Sequence, residues 1–279
     1  MTDAPDLPAS WRDHDDRSVE RPQPPGSDAP PFYVPLMDFQ GGDYDRNAFT
    51  MGTAAEAAAL VDRLGLAAGS RILDVGCGTG RHLRALAEDP GCTGVGVDAS
   101  AALVEVARDE VARAATTGEA VACTFAVGDG RDVLAVAPVA AVVASGGFDV
   151  AWALCQGALG TSPATDPAVV AGLAAAVRPG GTVVLTAFHA LFAARHLVEG
   201  DAYDVVHGIH HQRTEVRGPD HARRTFDLWT AAYTVGEVVR LCSDAGLVVE
   251  EVVGCEPGRY DAQQLRLDDP ELLVVARRR

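Results

Sequence analysis

Three glycines alternate in the string Ile72-Leu73-Asp74-Val75-Gly76-Cys77-Gly78-Thr79-Gly80-Arg81-His82, directly after an apolar run and directly before a helix-forming stretch. Glycine adopts dihedral angles closed to other residues and lets a ligand approach the backbone. A helix that starts there presents free N–H groups. Strand, glycine turn and helix together make a cradle for a cofactor. The spacing is neither G-x-G-x-x-G nor G-x-x-x-x-G-K-[ST], so the dinucleotide fingerprint and the P-loop are both set aside. Asp98 ends the next apolar run, in Val95-Gly96-Val97-Asp98, and Asp129 follows the one after, in Phe125-Ala126-Val127-Gly128-Asp129-Gly130. A carboxylate at such a place can accept hydrogen bonds from two hydroxyls. Asp74, inside the first run, reads as a group that orients the glycine loop.

Other chemically capable residues follow the fourth and fifth apolar runs. Cys155 and Gln156 come after the fourth and His189 after the fifth. His189 is the candidate base, since imidazole titrates near neutrality. Cys155 reads as a small buried side chain, and Gln156 as an amide for cofactor or substrate. Tyr44, Arg46 and Phe49 stand among polar residues before the first helix and form a candidate lid. Tyr203, Arg224, Phe226 and Trp229 are candidates for the opposite wall of a substrate pocket. His207, His210, His211 and His221 match no metal-binding spacing, so no metal is expected.

These residues need elements to carry them. Short apolar strands are expected at Arg71 to Val75, Thr93 to Val97, Val121 to Val127, Phe148 to Leu154 and Thr182 to Phe188, as in a parallel sheet buried on both faces. Helices alternate with them. Capping boxes are expected at Thr53 with Glu56 and at Thr234 with Glu237. Ser100 is expected to cap the second crossover helix. Asp166 before Pro167 reads as a helix cap, and Arg178-Pro179-Gly180-Gly181 as a break before the fifth strand. A short helix is expected within residues 131–146. Leu247 to Val253 and Leu272 to Ala276 are expected to form an antiparallel edge. The fold class is therefore α/β, a doubly wound Rossmann-like sheet. The organisation expected is a flexible Pro-rich tail over residues 1–30, a lid and helix over 31–70, and the main domain over 71–279. Residues 188–233 form an inserted substrate cover, too long for an ordinary connection.

Composition narrows the function classes. Of 279 residues, 48% are hydrophobic, enough for a full core. Lys and Arg number 23 against 39 Asp and Glu, a net charge of -16 that disfavours nucleic-acid partners. No apolar run is long enough to span a bilayer. No signal peptide is visible and the 6 cysteines form no CxxC pair, so a cytoplasmic protein with reduced thiols is expected.

The glycine string resembles motif I of class I S-adenosylmethionine-dependent methyltransferases of the small-molecule type. Asp98, Asp129 and the turn Arg178-Pro179-Gly180-Gly181-Thr182 follow in the order of that family, over residues 71 to 187. The resemblance implies S-adenosylmethionine as cofactor and S-adenosylhomocysteine as product. It implies that Asp98 binds the ribose hydroxyls and that Asp129 approaches the adenine amino group. The cofactor-binding set it suggests is Asp74, Gly76, Cys77, Gly78, Gly80, Asp98, Ala99, Asp129, Gly130 and Cys155. The Pro-Cys dipeptide of cytosine C5 methyltransferases and the [ND]PP[YF] signature of exocyclic-amine enzymes are absent. The expected activity is methyl transfer to oxygen or nitrogen of a small molecule. Protein or peptide methylation and a non-catalytic cofactor-binding role are the alternatives, and a homodimer is possible.

Overall fold

A computed structural model describes residues 32–47, 50–116, 121–155 and 158–279. The expected tail over 1–30 and the candidates Phe49 and Gln156 lie outside the described residues.

Five strands form the parallel part of the sheet. They are β1 (Arg71–Val75), β2 (Thr93–Asp98), β3 (Cys123–Val127), β4 (Phe148–Ala153) and β5 (Val177–His189), in the spatial order β3-β2-β1-β4-β5. The order reverses at β1, so the cleft beyond the carboxyl ends of β1 and β4 is the switch point at which such sheets bind ligands. Two more strands, β9 (Leu247–Cys255) and β10 (Glu271–Arg278), complete the sheet, with β10 antiparallel to both β5 and β9. Glu271, the first residue of β10, thereby stands opposite Phe188 at the same edge as the cleft.

Side chains of successive strand residues point to opposite faces, and the core divides accordingly. Leu73 and Val75 pack with Val169, Leu173, Val238 and Cys242, from helices α6 (Asp166–Ala176) and α8 (Val235–Asp244). Ile72 and Trp152 pack on the other face with Leu60, Leu83 and Val104. Those three come from α2 (Thr53–Leu64), α3 (Arg81–Glu88) and α4 (Ala101–Thr116).

The cover segment is a second, smaller sheet. After α7 (Ala190–Arg195), strands β6 (Ala202–Asp204), β7 (Ile209–Arg217) and β8 (Arg223–Tyr233) pair antiparallel. Ala232 and Tyr233 then join Phe188 and His189 in parallel register. A long β7–β8 hairpin thus projects from the working edge of the main sheet. Opposite it lies α1 (Val34–Gln40), followed by a 3-10 helix at Gly41–Arg46.

Several local expectations hold. The Thr234–Glu237 capping box is formed in both directions, and Ser100 Oγ accepts from Leu103 N–H at 3.3 Å. The 131–146 connector contains a 3-10 helix (Gly130–Ala135) and α5 (Ala137–Ala144). Others need correction. Thr53 does not cap α2, because Gly52 is the N-cap residue and Thr53 Oγ donates to the Thr50 carbonyl. Glu56 is drawn inward by Arg81 and His82, which offer stronger donors than the helix terminus. Asp166 is also not a cap: it opens α6, and its carboxylate accepts from Gly160 N–H at 2.8 Å and Tyr233 Oη at 2.6 Å. Residues 178–181 do not precede β5 but bulge within it, since the pairing jumps from Phe148–Val177 to Val150–Thr182.

The glycine turn is closely packed at its helical end. Gly80 has φ +74°, and a Cβ there would lie 2.4 Å from the Phe125 ring. Gly80→Ala combines a left-handed backbone with overlap against a buried ring. It is expected to cost about 3 kcal/mol in urea unfolding, and a loss under about 1 kcal/mol would show that the turn tolerates a side chain.

Candidate cofactor and acceptor site

Asp98 organises the cleft. The residue is only 4% exposed, and its two carboxylate oxygens each accept a backbone N–H at 2.8 Å, Oδ2 from Gly78 and Oδ1 from Ser100. Burial lifts its carboxyl to about 6, although these hydrogen bonds favour the ionised form. Gly76 and Cys77 donate their N–H groups to the Val97 carbonyl at 2.7 and 3.1 Å. The glycine loop is therefore tied to the end of β2 through both main chain and side chain. Each Asp98 oxygen retains a lone pair for a further donor.

The N-terminal segment is tied to the same place. Asp38 of α1 accepts from Ser100 Oγ at 2.5 Å, and Asp45 accepts from Thr79 Oγ at 2.7 Å. Tyr44 lies over the glycine loop, its ring 3.5 Å from where a Gly78 Cβ would stand.

Between this segment, the glycine loop and the β7–β8 hairpin is a cavity of about 590 Å³. Gly76, Gly78, Asp98 and Leu103 form one end. Phe188 and Glu271, at the ends of β5 and β10, Thr161 of the loop after β4, and Gln212 and Leu228 of the hairpin also line it. Phe32, Tyr33 and Tyr44 contribute rings from the N-terminal segment.

Of the residues singled out from sequence, Gly76, Gly78, Asp98, Cys155 and Tyr44 border this cavity. Asp74 is buried within β1, where burial pushes its carboxyl up to about 7; its Oδ2 and the neighbouring Trp152 Nε1 have no hydrogen-bond partner of ordinary geometry among the described residues. Cys77 and Gly80 support the loop from behind, against Gly96 and Phe125. Ala99 leads from Asp98 into α4. Asp129 is closed on Arg131, which donates both its backbone N–H and its guanidinium Nε–H to it at 2.9 Å, and Gly130 packs against Val75 and Ala158. The Arg131 hydrogen bonds, against a smaller effect of burial, hold the Asp129 carboxyl below its usual range.

The proposed acceptor residues are more dispersed. His189 is not on the cavity wall. Its strand neighbour Phe188 is, and alternation turns His189 away; its Nδ1 is 3.1 Å from the Asp269 carbonyl. Arg46 faces solvent and pairs with Asp43 at 2.7 Å. Phe226 reaches the lid, 5.7 Å from the Phe39 ring, with the Arg224 guanidinium over its outer side at 5.0 Å. Trp229 is on the other face of β8, near Phe32 and His211, and Tyr203 is in β6. Three of the four histidines singled out in the cover are engaged with carboxylates, His207 with Asp204, His210 with Asp201 and His211 with Asp227, while His221 lies against Arg217.

One buried polar group has no counterpart in the sequence reading. Glu56, Arg81 and His82 meet beneath the glycine loop, with Gly258 N–H donating to Glu56 Oε1 at 2.7 Å. Burial opposes ionisation of Glu56, but His82 and Arg81 outweigh it and hold its carboxyl at about 2. Arg81 also reaches Cys155 Sγ at 3.1 Å, and Cys155 Sγ is 3.1 Å from Tyr260 Oη. Burial pushes the Cys155 thiol up to about 12, so it is not a nucleophilic thiolate near neutrality. Glu56, His82 and Cys155 present ligand atoms within 4.8 Å of one another, yet the Arg81 guanidinium contacts both Glu56 and Cys155 and supplies the positive charge a metal would bring. Only the three-residue spacing from Thr53 to Glu56 drew attention to Glu56, and that signal suggested a cap.

Residues 72–181 match a family model described as a methyltransferase domain. No curated protein matches the chain by sequence. Among solved structures, the CcbJ methyltransferase from Streptomyces caelestis is similar over 82% of this chain and 96% of its own, with TM-score 0.63 and 18% identity. The glycopeptide N-methyltransferase MtfA complexed with sinefungin covers 85% and 90%, with TM-score 0.56 and 18% identity. CalS10, an amino pentose methyltransferase from Micromonospora echinaspora bound to S-adenosylmethionine, covers 80% and 90%, with TM-score 0.51 and 23% identity. At these identities the structures share the fold. The matched residues span the glycine loop, Asp98 and the 178–181 bulge of β5, so this part of the chain is similar to a methyltransferase domain, and the chain shares the fold of these methyltransferases.

Proposed function

We propose that the enzyme methylates oxygen or nitrogen of a small-molecule acceptor held between α1 and the β7–β8 hairpin. The observation that carries this reading is the cavity of about 590 Å³ that continues from the glycine loop to Phe188 and Glu271, with aromatic rings and short polar side chains on its wall. A volume of that order suits small molecules. The hairpin and α1 flank it on two sides, whereas a peptide substrate needs an open groove. CalS10, an amino pentose methyltransferase, shares this fold, and the reading takes a small acceptor from that likeness.

S-adenosylmethionine supplies a sulfonium-bound methyl that is already electrophilic, so the protein's task is positioning and exclusion of water. The site fits it. Gly78 leaves open the space that a Cβ would occupy beside Tyr44, and Asp98 offers two acceptor oxygens fixed by backbone donors. In this reading Asp98 binds the ribose hydroxyls, Gly76 and Gly78 underlie the methionine portion, and Tyr44 covers it. Asp129, held by Arg131, contributes its charge near the adenine end rather than a free carboxylate.

Three outcomes test the assignment. Gly78→Ala is expected to weaken S-adenosylhomocysteine binding by about 10-fold or more in calorimetry, by strain and by filling the cleft; unchanged affinity would reject the loop's role. Binding is expected to tighten as pH rises from about 5 to about 7, because the ionised Asp98 carboxylate accepts from the ribose and its pKa lies at about 6. Asp98→Asn is expected to flatten that dependence, and a wild-type affinity independent of pH would contradict it. Finally, S-adenosylhomocysteine is expected to slow hydrogen exchange across residues 34–46, because Asp38 and Asp45 join this segment to the cofactor end. Unchanged exchange at saturation would make α1 a static anchor.

A further inference from the structure

The hairpin wall of the cavity carries hydrogen-bonding side chains that the protein leaves unused. Gln212 and Thr214 of β7 and Thr230 of β8 border the cavity, with Leu228 beside them. Antiparallel register sets Gln212 opposite Leu228, Thr214 opposite Phe226 and Thr230 opposite His210. Alternation along each strand puts Gln212, Thr214, Leu228 and Thr230 on one face of the hairpin. Its root is fixed to the main sheet, because Ala232, two residues after Thr230, pairs with Phe188, which lines the same cavity. At its tip the hairpin meets α1, where a Cβ on Gly218 would lie 2.7 Å from the Phe39 ring. Gln212, Thr214 and Thr230 are half-buried, and among the described residues their side chains make no hydrogen bond. The charged groups around them are engaged with one another: His210 with Asp201 at 2.8 Å, Glu215 with Arg223 at 2.6 Å, and Arg217 with His221. A polar side chain on a cavity wall with no partner in the protein takes its partner from whatever fills the cavity.

Resting on the small-molecule reading above, we propose that the acceptor is a polyhydroxylated ring, of the glycosyl or cyclitol class, and that Gln212, Thr214 and Thr230 select it by hydrogen bonds to its hydroxyls. Such a ring has a rim of groups that both donate and accept, and two faces of C–H bonds. The Gln212 amide and the two threonine hydroxyls match the rim, since each of them also donates and accepts. Leu228 and Phe188 offer apolar surface to the C–H faces. Gln212 and Thr214 are two residues apart, about 7 Å along the strand, so one ring can meet both. An acceptor without such a rim displaces water from the wall and leaves these three groups without partners. A site built to bond a hydroxyl rejects the analogue that lacks it for that reason.

The test uses the full chain, S-adenosylmethionine labelled in the methyl group, and three acceptor panels. The first holds methyl glycosides and cyclitols with their monodeoxy analogues, the second phenols and aralkylamines without further hydroxyls, and the third short peptides. Wild-type protein is expected to label the first panel in preference to the second. Thr214→Val and Thr230→Val keep the shape and remove the hydroxyl, and Gln212→Leu removes the amide. Each is expected to lower kcat/KM for the best glycoside or cyclitol by about 10-fold while leaving S-adenosylhomocysteine affinity unchanged, which also reports that the variant is folded. The monodeoxy analogue lacking the hydroxyl that a side chain reads is expected to be used equally by wild type and by that variant, a coupling that a merely structural role would not produce. Preference for the second panel, or glycoside and cyclitol turnover unchanged in all three variants, would overturn the polyhydroxylated acceptor and leave small-molecule methylation standing. Transfer to peptides with no labelling of either small-molecule panel would overturn both.

Discussion

Burying the Asp98 carboxylate requires that protein donors replace the water it gives up, and the N–H groups of Gly78 and Ser100 do so at 2.8 Å each. That requirement fixes the path of the chain on both sides of the cleft. Gly78 can donate only if the turn after β1 curls back towards β2, which needs left-handed angles at Gly76, Gly78 and Gly80. Ser100 can donate only at the start of α4, where its hydroxyl also meets Asp38 of α1 and Leu103 N–H. One acid therefore coordinates the glycine turn and the second crossover helix, and through Ser100 the segment that covers them.

A second constraint operates where the hairpin meets the main sheet. The described residues of the loop after β4 belong to no strand, and Asp166 and the end of β8 hold them. Gly160 N–H and Tyr233 Oη both donate to the Asp166 carboxylate, and the Gly160 carbonyl accepts from Ala231 N–H at 2.8 Å. The hairpin is thus fastened to the sheet next to the residues that border the cavity, Gly160 and Thr161. Burial raises Asp166 to about 6, as at Asp98, and the same answer is used, several donors gathered on one carboxylate. Asp166 joins the hairpin to the main sheet as Asp98 joins the glycine turn to α4, so the two ends of the cavity are built on one sheet edge.

The parallel sheet was legible because each strand is a short apolar run bounded by a turn or helix signal, and the glycine string tied β1 to a ligand. Asp98 was legible because it ends such a run. Side-chain direction was harder to read. His189 follows the fifth strand as a catalytic residue would, yet alternation sends Phe188 to the cavity and His189 to the Asp269 carbonyl. Glu271 and Tyr260 escaped notice because an antiparallel β10 brings distant sequence to the working edge, and no local spacing encodes that meeting. Glu56 was misread for a related reason: its helix offered it a cap, whereas the fold offered it Arg81 and His82, 25 and 26 residues away.

The central claim is that Asp98 and the glycine loop hold the cofactor beneath α1, leaving the Phe188–Glu271 end for the acceptor. A crystal structure of the protein with S-adenosylhomocysteine tests it most directly. The account predicts both ribose hydroxyls within hydrogen-bond distance of Asp98, the homocysteine chain over Gly76 and Gly78, Tyr44 above it, and the sulfur facing the Phe188–Glu271 wall. A ligand bound away from Asp98, or one whose sulfur faces away from that wall, would contradict it.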